Sequence, residues 1–267
     1  MTIVQAVLLG AIQGLAEFLP ISSSGHLAIA SRFIAEQQSP LLFDILLHVA
    51  TLASVCLVFR RRIAELFMVA VRWIVRKPRD TDSSDQSMLL ALIAGTAVTG
   101  VAGLLLKDLV SDFSPFLISC CFVITGIFLI ISGRYVPVRT TAVPGVVQGL
   151  VIGLAQGIGV IPGISRSGST ISASLFAGLD RKTAGEFSFL LSIPAILAAF
   201  ILELKSADTL GSHVPVAALA AGMLTAFAVG YLSLKFLLGL IQRGKLGWFA
   251  VYLIPAGIAL AVYFFPG

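Results

Sequence analysis

Charge is scarce in this sequence: only 12% of the residues are Asp, Glu, Lys or Arg, against 58% hydrophobic. A soluble domain carries about 25% charge and about 45–50% apolar residues. A larger core cannot absorb such an excess, so an ordinary water-soluble fold is excluded. Cysteine is nearly absent as well. Cys56, Cys120 and Cys121 are the three present, an odd number set in apolar runs. They offer neither a disulfide framework nor a metal-ligand spacing, and read as small packing residues. Met1 to Gln5 contain no Lys or Arg, so the start lacks the basic region of a signal peptide and is expected to belong to the mature chain.

What remains is apolar and long-periodic. Candidate spans fall at about 43–59, 88–106, 115–132, 186–203, 216–240 and 247–265, each long enough to cross a bilayer as a helix. Two regions differ, 1–35 and 145–180. Each is an apolar stretch, a polar break and a shorter second stretch. The breaks are Leu19-Pro20-Ile21-Ser22-Ser23-Ser24-Gly25-His26 and Pro162-Gly163-Ile164-Ser165-Arg166-Ser167-Gly168-Ser169. Such backbone is not stable against lipid, so both regions are expected to be re-entrant helical hairpins with protein-buried tips. The expected fold is an all-α integral membrane protein: about six transmembrane helices plus two re-entrant hairpins, in one membrane domain over 1–267.

The net charge is +5, and seven of the eighteen Lys and Arg lie between Arg60 and Arg79. Clustered so, they describe a cytoplasmic loop over 60–87, with an interfacial helix at 63–75 and a linker at Pro78 to Ser87, and not a nucleic-acid surface. The basic arc also suits anionic lipid head groups. Counting outward, 107–114 (Lys107, Asp108, Asp112) and Glu203 to His213 are external; Arg134, Arg139, Arg181, Lys182, Arg243 and Lys245 are internal. The first hairpin then begins and ends outside, and the second inside. A shift of 143 residues lays Gly10, Gln13, Gly14, Ile21, Ser22, Ser24 and Gly25 on Gly153, Gln156, Gly157, Ile164, Ser165, Ser167 and Gly168 without a gap. This is the mark of an inverted-topology repeat, about 1–132 and about 145–267, which places a binding site where its broken helices meet.

The chemistry sits in those breaks. Glu17 lies one helical turn after Gln13, and an intramembrane carboxylate is a functional candidate needing a partner. Arg166 can supply that partner as an ion pair, or clamp a phosphate by forked hydrogen bonds. Three consecutive serines, Gly25 and His26 exceed what a helix cap requires, and hydroxyls at a helix start form an anion site. One carboxylate, one His, one Arg and many hydroxyls suit phosphoryl transfer: a Ser nucleophile activated by a base, with Arg and helix N-termini balancing charge. Glu17 could alternatively hold a divalent metal. Asp44 and His48, also one turn apart, either line the cavity or fix the helix end, and stay outside the catalytic set. Glu186 reads as an interface anchor and His213 as a solvated loop residue.

Gln13-x-x-x-Glu17-Phe18-Leu19-Pro20-Ile21-Ser22-Ser23-Ser24-Gly25-His26, then Pro162-Gly163-Ile164-Ser165-Arg166-Ser167-Gly168-Ser169-Thr170, and Glu186-Phe187-Ser188-Phe189-Leu190-Leu191 resemble the bacitracin-resistance family of undecaprenyl pyrophosphate phosphatases over essentially the whole chain. The resemblance implies removal of the terminal phosphate of a C55 polyprenyl diphosphate at the outer side of the bacterial inner membrane, with a divalent cation, Mg²⁺ or Ca²⁺. By motif position it implies Glu17 as the essential acid, Ser23 as nucleophile, His26 as acid/base and Arg166 as phosphate clamp. His26 itself, or a metal-activated water, is an alternative nucleophile. Ser22, Ser24, Gly25, Ser165, Ser167, Gly168 and Thr170 would surround the phosphates. Many members carry Glu at the position of Gln13, so the metal site, Glu17 with Gln13, has one negative charge fewer. The type 2 phosphatidic-acid phosphatases, which share Ser-Gly-His and Ser-Arg elements, need a His six residues past the Arg, where this chain has Ser172. A flippase for a phosphorylated polyprenyl lipid is the alternative of a different class. A homodimer is compatible with the small-residue faces at Gly95, Gly100 and Gly103.

Overall fold

The computed structural model describes residues 1–34, 41–111, 113–135, 139–206 and 214–266. Eleven α-helices are found among them: α1 (Ile3–Phe18), α2 (Ser23–Ile34), α3 (Leu41–Val58), α4 (Arg60–Ile74), α5 (Ser83–Ser111), α6 (Pro115–Arg134), α7 (Val146–Ile158), α8 (Arg166–Phe176), α9 (Arg181–Ser206), α10 (Val216–Gln242) and α11 (Ala250–Tyr263). Among the described residues, five stretches are long and apolar enough to cross a membrane: Asp80–Leu106, Pro115–Arg134, Arg181–Leu202, Val216–Gln242 and Leu246–Tyr263. A sixth is formed if α3 is counted with α4, which leaves it at a 79° bend. Their outward side chains are those of a lipid-facing surface, with Leu105, Leu224, Leu232, Phe236 and Val251 exposed.

Local sequence sets the element ends. Ser114 caps α6 through its hydroxyl, which accepts the Leu117 N–H at 3.3 Å, with Pro115 at the first position, where its missing N–H costs nothing. The linker expected over Pro78 to Ser87 is shorter than foreseen. Arg72 donates two hydrogen bonds to Asp82, 2.8 and 2.7 Å, which anchors a 3₁₀ turn at Asp80–Asp82 and lets α5 begin at Ser83. At its other end α5 runs on to Ser111, so helix takes the place of most of the loop expected over 107–114. The side chains of Lys107, Asp108 and Asp112, like His213, lie outside the described residues. α4 exposes Phe67, Met68, Trp73 and Ile74, the apolar stripe of a helix lying along a membrane surface. Glu186 anchors this corner: Arg62 donates to Glu186 at 2.6 Å and to Asp85 at 2.8 Å.

Both expected hairpins are present as helix–break–helix units, α1–α2 and α7–α8. The second closes on itself. Thr141, before α7, and Leu179, after α8, form a bridge through Thr141 N–H to Gly178 O (2.9 Å) and Asp180 N–H to Thr141 O (3.0 Å). The hairpin therefore leaves beside the point where it begins.

The main seams cross between the halves of the chain. α1 packs on α10, and α7 packs on α5. In the first seam a Cβ on Gly10 would lie 2.3 Å from Gly222 O; in the second, one on Gly149 would lie 2.2 Å from Ala91 O and one on Gly153 2.4 Å from Gly95 O. Lipid gives apolar helices no hydrophobic reason to associate, so close backbone approach and interhelical hydrogen bonds must hold them. Those bonds are present in both halves: Thr99 donates to Gly153 O at 3.0 Å, and Ser54 of α3 to Phe227 O of α10 at 2.8 Å. Gly95 thus serves an internal seam, whereas a Cβ on Gly100 or Gly103 would meet nothing within 4 Å; those two glycines face outward.

Candidate active site

The two breaks touch. Ser22, at the first tip, has φ 72°, a left-handed conformation that is uncommon outside Gly. Its hydroxyl accepts the Gly163 N–H of the second tip at 3.1 Å and the Gly25 N–H at 3.4 Å. Gly163 itself has φ 91° and sits so close to α6 that a Cβ would lie 2.4 Å from Ile118 O. Thr125 of α6 donates to Gly163 O at 3.0 Å and accepts from Ser165 N–H at 3.3 Å. Ser167 reaches back to Leu19 O at 3.4 Å.

Glu17, in the last turn of α1 and 5% exposed, lies beside this junction. Arg166, first residue of α8, donates to Glu17 Oε1. Ser23, first residue of α2, donates to Glu17 Oε2 at 2.7 Å, and Gln13 Nε2 donates to the same oxygen at 3.0 Å. Chain segments about 150 residues apart thus converge on one carboxylate. A buried carboxylate is tolerable only when neutralised and hydrogen-bonded, and here both conditions hold.

His26 stands one turn into α2. Its Nδ1 is 2.8 Å from Ser22 O and its Nε2 is 2.7 Å from the Tyr252 hydroxyl. A carbonyl only accepts, so Nδ1 carries the proton and Nε2 accepts from Tyr252. The imidazole lies between Phe122 and Tyr252, with ring centroids 4.7 and 5.7 Å away.

The expected phosphate ligands separate into two groups. Ser23, Ser24, His26 and Arg166 are part-exposed, while Ser22, Gly25, Ser165, Ser167, Gly168 and Thr170 are buried. The buried hydroxyls are already committed to the scaffold. Ser165 caps α8 by accepting the Gly168 N–H at 3.0 Å, and Thr170 bonds Arg166 O at 2.9 Å and the Ser188 hydroxyl. These groups build the scaffold of the two breaks; Ser23, Ser24, His26 and Arg166 keep part of their surface exposed beside it.

Two further residues join the site: His48, which the sequence left between lining the cavity and fixing a helix end, and Tyr252, which it did not single out. His48 of α3 places Nε2 3.7 Å from Glu17 Oε2, so it lines the site and does not merely fix a helix end. Tyr252, on the last helix, had no sequence signal separating it from an ordinary interfacial aromatic.

No group of three His, Cys, Asp or Glu that could hold a metal exists among the described residues. The fit to a hard divalent cation is nevertheless reasonable, because such ions take few carboxylates when substrate phosphates complete the shell. Glu17 supplies a carboxylate, and Gln13 Oε1 is buried without a hydrogen-bond partner.

The family model for the bacitracin resistance protein BacA matches residues 6–259. The chain belongs to the BacA family. Among curated relatives, an undecaprenyl-diphosphatase of Treponema denticola is 61% identical, covering 99% of this chain and 98% of its own. Undecaprenyl-diphosphatases of Desulfatibacillum aliphaticivorans and Geobacter sulfurreducens are 42% and 40% identical, covering 97% and 99% of both chains respectively. These matches run across both breaks and the helices that hold them.

Proposed function

We propose that this chain hydrolyses undecaprenyl diphosphate to undecaprenyl phosphate and inorganic phosphate. The reaction returns the lipid carrier to cell-wall synthesis and confers bacitracin resistance. The chain is an undecaprenyl-diphosphatase by its family and by relatives of that name along its full length. The observation that carries the mechanism is the convergence of Ser23 and Arg166 on Glu17.

The Ser23 hydroxyl already donates to Glu17 at 2.7 Å, the geometry a general base needs to take its proton. Ser23 Oγ then attacks the terminal phosphorus. A P–O bond forms to Ser23 as the bond to the bridging oxygen breaks, and undecaprenyl phosphate leaves. Once Glu17 has passed that proton to solvent, it takes one from the water that attacks the phosphoserine; as the P–O bond to Ser23 breaks, Ser23 Oγ regains this proton from Glu17 and inorganic phosphate departs. Arg166 and the positive N-terminal end of α2 balance the charge gathering on the phosphoryl oxygens. His26 offers its Nε2 to the Tyr252 hydroxyl, which favours a role in proton transfer over one as nucleophile. Glu17 and Gln13 would hold a divalent cation, Mg²⁺ or Ca²⁺, which when bound offsets the charge of the diphosphate. We place the enzyme in the bacterial inner membrane with its site open to the outer side. The partners are the polyprenyl lipid, the bilayer and a second copy of the chain.

Phosphate release from C55 polyprenyl diphosphate by purified protein in detergent is the deciding measurement, with Mg²⁺ or Ca²⁺ and then with excess chelator. Cation-dependent turnover is expected. A folded protein that binds the lipid and releases no phosphate would move the flippase reading to first place, because transport needs a sided membrane and chemistry does not.

A further inference from the structure

Six cations expected at the internal end of the bundle come from three separate segments: Arg134 with Arg139, Arg181 with Lys182, and Arg243 with Lys245. The fold gathers them on one surface. At the end of α6 a Cβ on Gly133 would lie 2.9 Å from Gly247 N, which sets Arg134 beside the turn after α10. In that turn Gly244 has φ 69°, and a Cβ there would lie 2.2 Å from Nη1 of Arg181, 2.5 Å from Cζ and 2.6 Å from Nη2. The guanidinium therefore lies over the bare backbone of the turn. Arg181 itself follows the closure of the second hairpin, where Asp180 N–H bonds Thr141 O at 3.0 Å and a Cβ on Gly178 would lie 3.5 Å from Arg139 O. Four of the six, Arg134, Arg139, Lys182 and Arg243, are exposed.

None of the six forms an ion pair among the described residues. Asp180, next to Arg181, is turned to its own helix, where it accepts Thr183 N–H at 2.8 Å. It offsets one charge, not six. The other basic region, Arg60 to Arg79, is different: Arg62 is paired with Glu65, Asp85 and Glu186, and Arg72 with Asp82. Arg134 and Arg243 close α6 and α10, where a cation suits the terminal carbonyls. Arg181 and Lys182 instead open α9, where the helix already presents its positive end. Membrane topology by itself asks only for a number of cations in each loop, and not for three segments drawn onto one face. Aromatic rings set the depth. Trp248 is 62% exposed, with Lys245 Nζ 4.3 Å from its ring centroid, and Tyr135 is exposed beside Arg134. Trp and Tyr gather at the level of lipid head groups.

We propose that this surface binds the head group of an anionic phospholipid, with the phosphodiester among Arg181, Lys182, Arg243 and Lys245 and Trp248 against the upper part of the acyl chains. The forked donors of Arg fit phosphate oxygens, and basic pockets between membrane helices on the internal side suit such lipids. A second copy of the chain, cationic over the same face, is repelled. The bound lipid ties α6, α9 and the turn after α10 together at the base of the second hairpin. The inference stands apart from the phosphatase reading and uses no residue of the catalytic set.

The test is native mass spectrometry of full-length protein released from a non-ionic detergent, titrated with phosphatidylglycerol or with phosphatidylcholine, with thermal melting in the same mixtures. Phosphatidylglycerol is expected to bind at least about tenfold more tightly than phosphatidylcholine and to raise the melting temperature. Each cation beside an anionic lipid is worth about a fivefold change in binding. Arg181→Gln combined with Arg243→Gln should therefore weaken phosphatidylglycerol binding at least about tenfold. Should that protein not fold, Lys182→Gln with Arg243→Gln replaces two exposed side chains and reads the same loss. Arg60→Gln with Arg61→Gln removes equal charge from the other basic region and should leave the affinity nearly unchanged. Equal affinity for the two lipids overturns the site. An equal loss from both pairs overturns it too, by reducing the effect to net charge. Wild-type affinity in both patch variants leaves the six cations to membrane topology alone. Displacement of the lipid by inorganic phosphate at matching concentration gives the surface to a soluble anion instead.

Discussion

The hydroxyl of Ser22 bonds the backbone N–H of Gly163 across the meeting point of two hairpins that lie 141 residues apart in sequence. The same oxygen accepts the Gly25 N–H, so one side chain fastens both tips. Ser22→Ala leaves two buried donors unsatisfied, at about 1–3 kcal/mol each. The expected result is a clearly lower melting temperature in detergent together with reduced turnover. Ser22→Gly loses the same bonds but relaxes the left-handed backbone, and should melt between the two. An alanine variant as stable as wild type would show that the clip does not hold the tips.

Glu17 is the convergence point of the site, and its removal should be felt in chemistry. Glu17→Gln is expected to lower phosphate release by at least about 10²-fold, the loss typical of a missing general base. Arg166→Ala should lose a comparable factor through the phosphates. Both should elute as monodisperse protein on size exclusion. Near-normal turnover in either variant would mean the site has been misplaced.

Neighbouring serines should differ sharply. Ser23 donates to Glu17 at 2.7 Å, whereas Ser24 has its hydroxyl 3.5 Å from that of Ser22. Ser23→Ala is expected to abolish turnover, and Ser24→Ala to reduce it several-fold. The comparison is a single-turnover assay with radiolabelled terminal phosphate, in which wild type should also show phosphate on the protein. Equal and mild losses would point to His26 or a water as the attacking group.

Tyr252 bonds the imidazole of His26. Its hydroxyl donates to Nε2, and Tyr252→Phe keeps the ring stacking while deleting that donor. The expected change is in the pH dependence of kcat, with KM and melting temperature nearly constant. A pH profile superimposable on wild type would reduce Tyr252 to packing.

The helix seams give a structural prediction. Gly149→Val should prevent folding, because even a Cβ would lie 2.2 Å from Ala91 O. Gly100→Ala meets nothing within 4 Å and should stabilise the helix by up to about 1 kcal/mol. Expression with thermal melting in detergent separates the two. A tolerated Gly149→Val would contradict the seam.

Legibility from sequence followed the strength of local signals. The breaks at Leu19 to His26 and Pro162 to Ser169 were readable because Pro, Gly and consecutive serines cannot continue an apolar helix. Glu17 and Arg166 were readable because isolated charge in apolar surroundings demands a partner. His48 was left between lining the cavity and fixing the helix end because its turn spacing to Asp44 suits either; what separates them is the approach of α3 to α1, a tertiary fact. Tyr252 sits 226 residues from His26, beyond any pattern within one helix. The linker after Pro78 came out too long because the paired charges Arg72 and Asp82 look like solvated loop until they are seen to bond.

The crossed seams have a consequence for how the chain is made. α1 leaves the ribosome about 200 residues before the surface it packs against, at Gly222 on α10. Through most of synthesis the membrane must store α1 and the Glu17 it carries without their final neighbour. Only when α10 arrives can the first hairpin lock. Truncation anywhere before Gly222 should therefore cost the first hairpin as well as the helices removed, and the nascent chain carries an unsealed polar tip until α10 is made.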